Sequence, residues 1–319
     1  MALMMVAGSV VAQGTPLHDP IPPHDTFTVV SQALGETRTV NVHTPAVYAS
    51  SSTQRFPTLY MPDGGLDEDF PHVVNTVDSL IALGKIRPVM IIGIPNTERR
   101  RDLAGPTRIA TDSAIAPRVG RSEAFRCFLK DELIPAVQSR YRTTSERAIV
   151  GESLAGLFVV ETLLTESALF DHYVALDPSL WWNSGALVDS APARIGAFDS
   201  RPRSVFFATS NVADIAAPTA RLDSLLKSSL PRGLSAVYLS RPDLTHATIF
   251  RALGPDVWRV RSDKRSWATR TLPHELAESK SGQSERVSTL GLRHLAKCPK
   301  ALPMLLLFRQ ELEKPRIAA

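Results

Sequence analysis

Apolar and polar residues alternate along TFTVVSQ and again along RTVNVHTP, on either side of a Gly-Glu-Thr break, which is the period-two pattern of a β-hairpin. FPTLYMPDGG is a short apolar run ended by Asp-Gly-Gly, predicting a buried strand and a tight loop. HVVNTVDSLIAL has helical spacing, and RPVMIIGIP reads as a second buried strand. SEAFRCFLKDELIPAVQSRY predicts one long amphipathic helix, opening at a serine with acidic residues in its first turns.

The alternation then repeats. RAIVGE, HYVALDP, SVFFATS and LSAVYLS read as strands, while LAGLFVVETLLTES and the stretch around ARLDSLLKSS read as helices. Short apolar strands separated by helices imply a mostly parallel sheet covered on both faces. The expected architecture is a doubly wound α/β domain over residues 26–262, with the opening hairpin as an antiparallel edge. Residues 13–25 are aperiodic and read as a linker. Residues 263–319 are polar and weakly patterned, with a candidate helix at CPKALPMLLLFRQELEK; they read as an appendage or as frameshifted sequence. No internal repeat is visible.

Composition narrows the function classes. Hydrophobic residues make up 44% and charged residues 21% of the 319, enough for a sizeable core. The formal charge of +4 comes from scattered Lys and Arg rather than a basic run interleaved with aromatics, so no nucleic-acid partner is expected. Cys127 and Cys298 form no CxxC or Cys/His cluster, so neither structural zinc nor a disulfide framework is expected, and Cys127 reads as a small core residue. No apolar run is long enough to span a bilayer. MALMMVAGSVVAQG has an apolar stretch before the small-residue site Val10-Val11-Ala12 but lacks a positive n-region. It favours a secreted or periplasmic protein over a cytoplasmic one.

The chemistry concentrates in GESLAG, residues 151–156, between the strand AIVGE and the helix LAGLFVVETLL. A strand–turn–helix corner of this kind lifts a serine hydroxyl into the open, as in the nucleophile elbow G-x-S-x-G. The corner brings two backbones close, so small residues are needed beside Ser153; Gly151, Ala155 and Gly156 supply them, with Ala155 interrupting the five-residue form. The competing reading is that Ser153 merely caps the helix.

Together with LYMPDGG, IIGIPNTERRRDL, ALDPSLWWN and LTHATIF, in that order, GESLAG resembles the "Putative esterase" family of α/β-hydrolases, whose members include siderophore esterases, feruloyl esterases, S-formylglutathione hydrolases and mycolyltransferases. The resemblance runs from about residue 26 to residue 260. It implies a serine nucleophile, Ser153, followed in the chain by an acid and then a histidine. Of the downstream histidines, His172 enters the very next strand, and His274 and His294 lie in the tail. His246, in the loop THATIF after a late strand, matches the family's histidine. The expected acid is Asp214, at the end of SVFFATS; a helix N-cap is its competing reading, and Asp177 and Asp223 are the alternatives. The oxyanion hole is expected from the N–H of Leu154 and from the loop holding Gly64 or Gly65, which would also serve as a tight turn. Trp181 and Trp182 either wall the substrate pocket or pack in the core. The run Arg99 to Asp102 reads as a solvated charge cluster, with an arginine that attracts an anionic substrate as the alternative.

The function this predicts is a serine carboxylesterase working through an acyl-enzyme on a small-molecule ester: short-chain, aromatic feruloyl-like or siderophore-type. An acyltransferase on the same scaffold, or a binding protein that has lost catalysis, are the alternatives. With no HExxH, P-loop or dinucleotide loop in context, neither a metal nor any other cofactor is implied. The sequence carries no reading of oligomeric state.

Overall fold

The structure, a computed structural model, describes residues 19–259. The segment MALMMVAGSVVAQG, the tail 263–319 and with it His274, His294, Cys298 and the candidate helix lie outside the described residues.

Eight described strands form one sheet: β1 (Asp25–Ser31), β2 (Glu36–His43), β3 (Phe56–Pro62), β4 (Met90–Ile94), β5 (Thr143–Glu152), β6 (His172–Leu176), β7 (Arg203–Thr209) and β8 (Leu234–Ser240). Their order is β1-β2-β4-β3-β5-β6-β7-β8. β1 and β2 pair antiparallel, as do β2 and β4; every pairing from β4 to β8 is parallel. This is the mostly parallel α/β sheet with an antiparallel hairpin that the hydrophobic pattern predicts. Gly35, at φ 71°, closes the hairpin by donating its N–H to Ser31 O at 3.0 Å, a conformation in which a Cβ would be strained.

Central strands are apolar along their length because both faces are covered. Neighbouring residues therefore enter different layers. Leu59, Ile91, Val150 and Val174 pack against the helices Phe70–Ala82 and Ile249–Arg259. Tyr60, Ile92, Ile149 and Ala175 point the other way, into a layer that includes the helices Leu154–Thr165 and Ala213–Ser228. The helix Leu154–Thr165 buries ten of its residues, so it is a central element rather than a surface one.

Three local features depart from expectation. The long helix predicted from Ser122 is three segments: Ser122–Cys127, a π-helical turn Phe128–Leu133, and Ile134–Arg140. Pro135 lacks an N–H and its ring crowds the carbonyl one turn back, so widening to a π turn preserves the path. The stretch after THATIF continues as the helix Ile249–Arg259, which docks on Phe70–Ala82. Cys127 is buried as the pattern predicts, but it is disulfide-bonded rather than a plain thiol.

The parallel arrangement aligns the C-terminal ends of β3 to β8 along one edge. Three of these strands are followed directly by non-glycine residues with positive φ: Asp63 at 58°, Ser153 at 57° and Asp177 at 43°. Such conformations cost energy and concentrate at functional sites. In open parallel sheets this edge is also where ligands bind.

Candidate active site

Ser153 occupies the corner between β5 and the helix Leu154–Thr165 at φ 57°, ψ −116°. Its N–H donates to Leu176 O at 3.0 Å, and its carbonyl accepts from Leu157 at 2.9 Å and from Ser179 at 3.0 Å. These bonds tie the corner to β6 and to the loop beyond it. The small neighbours are required by contact. A Cβ on Gly151 would lie 2.5 Å from the Ala155 carbonyl carbon, and one on Gly156 would lie 3.0 Å from Pro178 Cα. Although Ser153 stands at the N-cap position, its side chain makes no capping bond. Its Oγ lies instead 3.4 Å from Ser179 Oγ.

His246 follows β8 in a loop held by Arg241 N–H to Thr209 O at 2.7 Å and Asn211 N–H to Leu244 O at 3.0 Å. Its Nδ1 lies 2.9 Å from Asp177 Oδ2. Asp177 comes directly off β6 and is fully buried, and its Oδ1 accepts the Ser210 N–H at 2.6 Å. Burial pushes the Asp177 carboxyl up, but the hydrogen bonds from His246 and Ser210 outweigh it and hold the group below its ordinary value. The hydrogen bond to Asp177 raises His246 above the ordinary histidine value, against burial. No hydrogen bond joins Ser153 to His246 among the described residues, an arrangement common before substrate tightens a site.

The structure thus places Asp177, not Asp214, against His246. Asp214 is exposed in the first turn of the helix Ala213–Ser228, where a carboxylate favours the helix dipole. Asp223 is buried on the same helix and pairs with Lys227 at 2.7 Å. The chain leaves β7 through Ser210–Val212 before Asp214 appears, whereas Asp177 emerges beside that strand end and takes the Ser210 amide itself. The available sequence signal was the Asp-Pro that follows the mainly apolar strand HYVAL.

The upstream loop is crowded and polar. A Cβ on Gly64 would lie 2.2 Å from Ile94 N, so the backbone approaches β4 as only glycine allows. Both candidate oxyanion donors of this loop have internal acceptors: Gly64 N–H donates to Ile94 O at 3.2 Å and Gly65 N–H to Glu68 Oε2 at 2.6 Å. Leu154 opens its helix, and first-turn N–H groups have no intrahelical partner. Arg99 forks onto Asp63, with Nε to Oδ1 at 2.6 Å and Nη2 to Oδ2 at 2.8 Å, and reaches Glu152 O at 3.4 Å. Asn96 Nδ2 donates to Asp63 and Glu68, both at 2.6 Å. Burial and the Asp63 charge push Asp69 up to about 6, and burial pushes Glu152 up to about 8.

Within the Arg99–Asp102 run Arg100 is exposed, but Arg101 and Asp102 are buried rather than solvated. Arg38, 1% exposed, donates to Asp102 Oδ2 at 2.6 Å and to Pro95 O at 2.8 Å, and Arg101 donates to Glu36 Oε1 at 2.8 Å. This buried network anchors the loop that carries Asn96 and Arg99. Trp182 is a buried ring whose Nε1 donates to Gly105 O at 3.0 Å, and Trp181 packs 6.1 Å from it, half-buried. Trp182 also lines a cavity of about 200 Å³ with Leu157, Glu161 and Arg194, but neither Ser153 nor His246 lines it.

Residues 31–217 match the Esterase family, described as "Putative esterase", and the chain belongs to that family. A siderophore triacetylfusarinine C esterase of Aspergillus fumigatus is 31% identical over 54% of this chain and 62% of its own. A ferri-bacillibactin esterase of Bacillus subtilis is 34% identical over 30% of this chain and 38% of its own. The chain therefore spans less than two thirds of either relative's length. Among solved structures, an IroE-like serine hydrolase from Shewanella oneidensis superposes with a TM-score of 0.67 at 26% identity, covering 74% of this chain and 79% of the other. The fold is that of an α/β-hydrolase.

Proposed function

We propose that the protein is a serine carboxylesterase acting on siderophore-type esters through an acyl-enzyme. The observation that carries this reading is the convergence of a strained Ser153 and the His246–Asp177 pair on one sheet edge. The names of the two curated relatives support the substrate class.

In this reading Ser153 Oγ attacks the ester carbonyl while its proton passes to His246 Nε2, the ring nitrogen left free by the Nδ1 contact with Asp177. Asp177 fixes the tautomer and stabilises the imidazolium. Leu154 N–H donates to the developing oxyanion. The second donor is Gly65 N–H, whose present acceptor is a side chain, Glu68, that rotates away more readily than a backbone carbonyl. The imidazolium then protonates the departing alcohol. Water, deprotonated by His246, releases the acid and restores the serine.

The test is Ser153→Ala in the full chain, assayed with p-nitrophenyl butyrate and a fluorophosphonate probe. Loss of both turnover and labelling, with an unchanged circular-dichroism spectrum, is expected. Retained turnover would overturn the reading.

A further inference from the structure

Glu152 is the residue immediately before the nucleophile, and the mechanism above does not use its side chain. Its Oε1 is buried and has no hydrogen-bond partner among the described residues. An unpaired buried carboxyl oxygen is a cost that folded proteins rarely carry without a ligand to meet it. The carboxyl faces the catalytic edge: His246, Asp69, Asp177 and Asp63 are the charges that act on it, from the loop after β8, the start of the helix Phe70–Ala82, and the ends of β6 and β3. Arg99 is engaged with its backbone carbonyl and with Asp63.

We propose, building on the esterase reading, that Glu152 is a specificity-determining residue whose Oε1 accepts a hydrogen bond from an N–H or O–H group carried beside the scissile carbonyl of the substrate. Two facts set this chemistry. Glu152 is bonded directly to Ser153, and the charges of His246 and Asp177 act on its carboxyl, so that carboxyl is within reach of atoms a few bonds from the carbon that Ser153 attacks. Of the charges that act on it, Asp69, Asp177 and Asp63 favour the positive end of a donor dipole over a carbonyl or an anion, while His246, the positive one, is already engaged by Asp177. The substrate class is therefore an ester whose acyl part bears an amide or hydroxyl donor next to the carbonyl, in preference to a plain alkanoate. Burial holds Glu152 up at about 8, so near neutral pH the carboxyl accepts this bond without a full charge beside the forming oxyanion.

The probe is a matched pair of p-nitrophenyl esters: N-acetylglycinate, and 4-oxopentanoate, in which a CH₂ replaces the N–H. The ratio of their kcat/KM values is measured for the full-length wild type, Glu152→Gln and Glu152→Leu, after subtraction of uncatalysed hydrolysis. Glu152→Leu is expected to lower the ratio roughly tenfold, the effect of one hydrogen bond to a buried group. Glu152→Gln keeps the carbonyl acceptor and is expected to hold the ratio within about threefold. Fluorophosphonate labelling reports whether each variant retains a folded site; if Glu152→Leu fails to label, Glu152→Met is measured in its place. A wild-type ratio in the apolar variant overturns the proposal, as does an equal collapse in Glu152→Gln. If the wild type neither labels nor cleaves either ester, it is the esterase reading that fails.

Discussion

His246 Nδ1 and Asp177 Oδ2 lie 2.9 Å apart although 69 positions separate them in the chain. The contact exists because β6, β7 and β8 are parallel neighbours, so the residue leaving β6 and the loop leaving β8 reach the same edge. Asp177 holds this bond while fully buried and takes a second hydrogen bond from Ser210. Removing the carboxylate from this pair has a different consequence from removing an exposed one.

Asp177→Asn is expected to lower kcat/KM by roughly 10²- to 10⁴-fold, because an amide neither holds the right imidazole tautomer nor stabilises the imidazolium. Asp214→Ala, at an exposed helix position, is expected to stay within about threefold. Steady-state kinetics of the two variants on one ester separate Asp177 from Asp214 as the acid. Equal losses would contradict the assignment.

Under the proposed mechanism the same pair shapes the acid limb of the pH–rate profile. Hydrogen bonding to Asp177 raises His246, and only a neutral imidazole could take the Ser153 proton. The kcat/KM of the wild type should therefore fall as pH drops through a midpoint above the ordinary histidine value. In Asp177→Asn the imidazolium loses its carboxylate, so the midpoint of the residual activity should move to lower pH. An unmoved midpoint would assign the limb to another group.

Gly151→Ala tests the close approach at the elbow. The added Cβ would sit 2.5 Å from both the carbonyl carbon and oxygen of Ala155, which are backbone atoms with little room to yield. A loss of about 1–3 kcal/mol is expected, the usual range for overpacking, along with a larger fall in kcat than in stability-matched surface variants. Urea unfolding beside a p-nitrophenyl ester assay reads both.

Stability should depend on pH in two opposite ways. The folded protein keeps a proton on Glu152 up to about pH 8 that an ordinary glutamate releases near 4.5. Between these values the folded state binds more protons, so its stability falls as pH rises through that window. Asp69, raised to about 6, acts in the same direction over a narrower range. Glu36 is held down to about 2 by its hydrogen bond from Arg101, and Glu146 is brought to about 2 by bonds from His172 and Arg87 that outweigh its burial. Their contributions are present above pH 4.5 and are lost as pH falls toward 2. Urea midpoints between pH 5 and 8.5 should decline in the wild type and decline less in Glu152→Leu. A parallel decline in the two proteins would contradict this.

Much of this molecule is legible along the chain because its signals are local. Hydrophobic period and run length separate the strands from the helices, and a Gly-Glu-Ser corner between them announces a strained serine whatever else the chain does. His246 is legible from its order, in a loop after a late strand. The π turn at Phe128–Leu133 lies within a pattern whose period reads as unbroken helix; Pro135, in the interior of that pattern, is the local signal of a break, and the form the break takes depends on packing.

The sequence by itself determined the alternation that makes the sheet parallel, the small residues that let Ser153 turn the corner, and the carboxylates available to serve the histidine. Only the tertiary structure decided which carboxylate lies against His246, and it is Asp177 rather than Asp214. It also buried Arg101 and Asp102 as an anchor and left Glu152 Oε1 without a hydrogen-bond partner among the described residues. The physical reason is common to all three: hydrogen bonds and ion pairs are settled by distances of a few ångströms between strand ends, and those distances exist only once the sheet has formed.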